Sequence, residues 1–157
     1  MRILPYILAS LLGISGCVPK TAFDSFTMSS VTERAVVNLQ TVTVGNSEGV
    51  EAIVSAIYLN AVYPQRYRGG EYFLIAYYDR GDENLLERLR LNETVRPTSV
   101  EEISESDAMC ALVPIRNDWN RYYIVRFPKQ GVTAALNVTF ETGRCVTGTL
   151  GFQKGGV

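Results

Sequence analysis

The chain has 157 residues, with 15 Lys and Arg against 16 Asp and Glu, no histidine and 46 % apolar residues. That length suits one domain with a substantial core, and a net charge of −1 without a basic block argues against nucleic-acid binding. The lack of histidine excludes His-dependent triads and the commonest metal ligand, so no metal or cofactor is expected.

Met1-Arg2 is followed by an apolar run from Ile3 to Leu12, interrupted by Pro5, and then by small residues up to Cys17. A positive start, an apolar stretch too short to span a bilayer and a small-residue cut site make a secretory signal. With a cysteine at the cut, Ile14-Ser15-Gly16-Cys17 resembles the lipobox of bacterial lipoprotein precursors. The resemblance implies a signal peptide over 1–16 and lipidation of Cys17. Membrane attachment would then be through that anchor. Val18 stands where Asp would favour inner-membrane retention, which implies the outer membrane, with the domain facing the periplasm. One acyl chain holds only reversibly, at about 0.8 kcal/mol per methylene, whereas the several chains of this class hold stably.

Residues 17–30 read as the lipidated start and a tether with Pro19, Lys20 and Asp24. Extended from Val18, the tether reaches roughly 40 Å. Phe23, Phe26 and Met28 are expected to dock its later half on the domain over 31–157. Ala35 to Val44 reads as a strand, and Gly45 to Gly49 as a turn. Val50 to Tyr63 fits a short buried helix by the spacing of Val50, Ile53, Val54, Ile57 and Ala61, with a strand as the alternative. Tyr63 to Gly70 is a loop. Glu71 to Tyr78 is apolar on both faces and is expected to be a central strand covered on each side. Leu85 to Leu91 alternates and is expected to form a hairpin with it.

Asn92 to Asp107 reads as a polar surface connection, with one helical turn from Ser99. Further strands are expected over Cys110 to Ile115, Tyr122 to Phe127, Val132 to Phe140 and Cys145 to Phe152, with a turn at 117–120 and a hairpin at 141–144. Short strands at this spacing predict a mainly β chain, a single β-sandwich (Ig-like or transthyretin-like) with room for one short helix. The alternative is α+β.

With Cys17 lipidated, Cys110 and Cys145 remain as a pair in an oxidising compartment. A disulfide between them is expected, with two buried thiols as the alternative. It would close a loop of roughly 35 residues, worth about 3–4 kcal/mol. The candidate binding residues are Tyr63, Arg66, Tyr67 and Arg68 in one loop, and the single Trp119 in a polar turn, since aromatic and Arg side chains dominate binding hot spots. Both sets also fit the blander reading of rings that cover the core edge.

Arg80-Gly81-Asp82 is explained by a turn. Asp79, Asp82 and Glu83 match no calcium-loop spacing. The acidic run from Glu101 to Asp107 reads as solvated surface. The expected function is therefore a non-catalytic accessory or assembly factor that binds another envelope protein. The alternative is a small ligand-binding or enzyme-inhibitor module. A hydrolase using only carboxylates, drawn from Glu71, Asp79 and Asp118, ranks behind both.

Overall fold

The computed structural model describes residues 29–80, 85–114, 118–131, 135–142 and 146–154. The signal, Cys17, the tether before Ser29 and Cys145 lie outside them. So do the turn residues Asp82 and Glu83.

The first described element is a helix, α1, Ser30–Val37, where a strand was expected to begin at Ala35. Ser29 caps it by accepting the Thr32 N–H at 3.1 Å, and the Asn38 side chain closes it by donating to the Arg34 carbonyl at 2.8 Å. It buries Ala35 and half-buries Val31, one turn apart. The strand starts only after that stop, as β1, Leu39–Asn46. It turns into β2, Gly49–Tyr58, through an Asx turn in which the Asn46 side chain accepts from the Glu48 N–H at 2.7 Å. Gly49 follows at φ 127°, a conformation that favours glycine.

β2 settles the ambiguous segment as a strand, against the preferred helix. Its β-branched residues lie between β1 and β3, Gly70–Asp79, and pair with both. The helix-like spacing arises because Val54 and Ile57 are buried on opposite faces of the sheet. Only the last four residues, Leu59–Val62, form a helical turn, α2.

The first sheet runs in the order β1, β2, β3, then β6, Arg121–Pro128, and β5, Ser99–Ile103, all neighbours antiparallel. β3 is its buried centre, as the two-sided apolar pattern predicted. Because β2 and β6 occupy both edges of β3, Leu85 to Leu91 cannot form the expected hairpin with it. The chain makes a 3-10 turn at Leu85–Arg88 and enters the second sheet as β4, Arg90–Leu91. The connection after Asn92 holds the edge strand β5 rather than a helical turn. Ser99 pairs with Arg126 in the ladder, so the cap-like spacing to Glu102 is coincidental. Cys110 does not begin a strand. Ala108–Leu112 is a 3-10 turn started by Asp107, whose carboxylate accepts the Met109 N–H at 2.8 Å.

The second sheet is β4-β7-β8, with β7 at Ala135–Glu141 and β8 at Thr147–Gln153. Both of these strands alternate buried and exposed, so the sheet's outer face is solvated. Its inner residues Leu136, Val138, Phe140, Leu150 and Phe152 pack against Val54, Phe73 and Val125 of the first sheet. The chain is thus mainly β, two antiparallel sheets in a sandwich-like arrangement with a short helix. Gly148 keeps the inter-sheet layer closed, because a Cβ there would overlap the buried Phe140 ring. Gly148→Ala is expected to cost about 1–3 kcal/mol by overpacking. Urea unfolding reads this directly, and a change within about 0.5 kcal/mol would show that the ring yields.

Candidate functional site

The outer face of the first sheet is a set of cross-strand rows fixed by the register. One row is Leu39, Ile57, Leu74 and Ile124; the next is Thr41, Ser55, Ala76 and Tyr122; a third is Thr43, Ile53 and Tyr78. A second core covers part of this face. There Ala35 of α1, Leu59 and Val62 of α2, and Met109, Cys110 and Leu112 of the 3-10 turn pack over Ile57, Leu74 and Tyr122. This cover stops short of the third row.

What remains open is a groove of about 540 Å³. Thr41, Thr43, Ile53, Ser55, Ala76 and Tyr78 contribute its floor, and Val113, Pro114, Trp119 and Asn120 also line it. Trp119 is 75 % exposed and Ile53 37 % exposed. The Thr41 and Ser55 hydroxyls hydrogen-bond each other across the floor at 2.9 Å. Among the described residues no charged side chain lines the groove. Such a volume falls in the range of small-ligand sites, which combine apolar walls with a few placed polar groups.

Trp119 therefore does not fold back into the core. The loop residues behave differently. Tyr67 is buried, with its ring 5.0 Å from Tyr72 and 6.3 Å from the half-buried Tyr63. The exposed Arg66 stacks over Tyr67 at 5.3 Å, and Arg68 donates to the Pro64 carbonyl at 3.3 Å. Burial raises the Tyr67 phenol above its ordinary value, and Arg66 opposes that rise. Its hydroxyl has no hydrogen-bond partner among the described residues. These rings cover the core edge at the Tyr72 end of β3.

The groove lies at the Tyr78 end, six residues away, or roughly 20 Å along a strand. The two candidate sets do not converge. Sequence reasoning missed Ile53, Tyr78 and the Thr41–Ser55 pair. The one available signal was an apolar Ile53 facing outward opposite a run of hydroxyl residues.

Two of the acidic candidates are also separated. Glu71 and Asp79 sit at opposite ends of β3, roughly 26 Å apart. That is too far for a hydrolytic pair. Glu71 is 1 % exposed. It accepts from the Tyr58 hydroxyl at 2.6 Å, Lys154 Nζ at 2.5 Å and the Gln130 N–H at 2.9 Å. Burial alone would raise its carboxyl, but these three donors outweigh it and hold the group below the usual carboxylate range. Burial, with Glu71 beside it, pushes the Tyr58 phenol up. The cluster is a satisfied lock rather than a reactive centre.

A second buried carboxylate, Glu51, accepts from the Asn46 amide at 2.5 Å and the Thr142 hydroxyl at 3.5 Å. Among the described residues no group of His, Cys, Asp and Glu has the arrangement to hold a metal ion. Cys110 is buried, with its sulfur 3.4 Å from the Ser104 carbonyl oxygen, and no disulfide is seen among the described residues.

Compared with known proteins, the chain matches no family model, no curated protein and no solved structure.

Proposed function

We propose that this chain is a lipid-anchored, non-catalytic binding module of the bacterial envelope that takes a ligand into the groove beside Trp119. The observation that carries the reading is the uncovered groove itself. Apolar sheet residues stay exposed there beside the only tryptophan, while a second core covers the neighbouring part of the same face. Anchoring is supported by the lipobox-like Ile14 to Cys17, and Val18 after it supports a domain at the periplasmic face of the outer membrane. Among the described residues no helix is long and apolar enough to cross a membrane.

The reading as an assembly factor for another envelope protein is favoured by a different feature, the exposed Val36 and Val37 on α1. Concavity and volume rank the compact ligand first. A bond between Cys110 and Cys145 belongs to the same proposal. Thiol-reactive labelling of the unfolded, unreduced mature protein should then find no free thiol, and two labelled cysteines would refute the bond.

Two experiments test the function. Changing Cys17 to Ser should leave the protein unprocessed or soluble, and a processed chain still pelleting with membranes would contradict lipidation. A photoreactive residue at Val50, on the groove, should crosslink a specific envelope component in living cells. The same probe at Asn137, on the solvated face of the second sheet, should not. Equal or absent labelling from both positions would overturn the groove as the recognition site.

A further inference from the structure

We infer that the groove's ligand is a neutral carbohydrate chain, an inference that rests on the groove being the recognition site. Three features of the groove select that chemistry. First, charge is missing from the groove among the described residues. One residue in five of the chain is charged, yet no described Asp, Glu, Lys or Arg lines this surface. A phosphate, a carboxylate or an ammonium ligand would lose its hydration and gain no counter-charge from these residues.

Second, the floor mixes hydroxyls with apolar patches. Thr41 and Ser55 face each other on adjacent strands, next to Ala76. Thr43 and the Tyr78 ring flank Ile53 in the following row. Neighbouring strands lie about 4.8 Å apart, so polar and apolar spots alternate on the scale of a single sugar ring, whose hydroxyls and C–H faces alternate likewise. Each Thr or Ser hydroxyl offers a donor and two acceptor sites, and the Thr41–Ser55 bond uses only part of that capacity. An acyl chain laid along this floor would bury these hydroxyls and the Asn120 amide without replacing their water. A polyhydroxylated ligand replaces it.

Third, Trp119 holds an aromatic surface at the groove with three quarters of its area open to solvent. The negative face of an indole attracts the weakly positive C–H face of a sugar, and this stacking needs no charge.

The test uses the full mature chain, whose single tryptophan is a built-in reporter. Cellotriose and tri-N-acetylchitotriose are titrated against Trp119 emission, with trigalacturonate as the anionic comparator and laurate as the acyl comparator. At least one neutral trisaccharide is expected to saturate the signal, and both comparators to fail. By calorimetry, Trp119→Ala should weaken binding of that sugar by about tenfold or more. Thr43→Val, which keeps shape and removes one hydroxyl, should weaken it several-fold, and Asn137→Ala should leave it unchanged.

Saturation by laurate or trigalacturonate instead would overturn the inference, as would sugar affinity that survives Trp119→Ala. Silence from both sugars, together with capture of an envelope protein by the Val50 crosslinker, would overturn the carbohydrate while the groove stands. Silence there together with no Val50-specific crosslink would overturn both.

Discussion

Glu71→Ala is expected to destabilise the mature protein by about 3–5 kcal/mol, because it removes one partner of a buried, hydrogen-bonded charge pair. The mutation strands three donors at once. Among the described residues Lys154 keeps only the carbonyls of Gln130 and Gly131, at 2.6 and 3.1 Å, and Tyr58 is left buried without its acceptor. The Lys154 side chain is 23 % exposed, so residual hydration pulls the loss toward the lower end of that range. Urea unfolding with an unchanged slope measures it. A loss under about 1 kcal/mol would mean the cluster contributes only what a surface pair does.

The same site sets an acid dependence. The folded carboxyl is held below its ordinary value of 4.5, so its contribution is complete above the ordinary carboxylate range. It falls away as pH drops through the folded-state value. Glu71→Gln keeps the shape, cannot titrate, and should flatten that part of the stability curve. An identical acid limb in both proteins would assign it to other carboxylates.

Phe73→Ala carries the other large effect, about 3–5 kcal/mol. Phe73 is fully buried where the two sheets meet, with its ring 5.2 Å from Tyr58, 5.8 Å from Phe127 and 5.1 Å from Phe152. Those partners come from β2, β6 and β8, so truncation opens a cavity that no single strand can shift to fill. Phe73→Leu should recover more than half of the loss, and a Phe73→Ala protein within about 1 kcal/mol of wild type would contradict the packing. Tyr58 touches both Phe73 and Glu71. The Ala double mutant should therefore depart from additivity, by about 0.5 kcal/mol or more.

What the sequence disclosed follows from how each element is buried. β7 and β8 have one dry and one wet face, so their alternation is readable residue by residue. β3 is dry on both faces, and its two-sided apolar pattern marked it as a central strand. β2 resembles it, but its Tyr58 end runs into α2, and the combined apolar stretch mimics a helical period. α1 was hidden because its Val36 and Val37 look like strand residues, while its cap is a short-range Ser29 contact. β5 escaped because every residue from Ser99 to Glu102 is exposed on an edge strand.

At the site, Trp119 stood out by rarity. The hydroxyl row did not, because Thr and Ser are common in strands and matter here only through what fails to cover them. Tyr67 misled for the opposite reason: its loop is polar, yet its ring belongs to the second core.

Hydroxyl-radical footprinting of Trp119, compared between living cells and the purified mature protein, tests most directly whether the open stretch of the first sheet is occupied in its native setting. Strong protection of Trp119 and Tyr78 is expected in cells, with Tyr63 modified equally in both. Equal modification of Trp119 inside and outside the cell would contradict it.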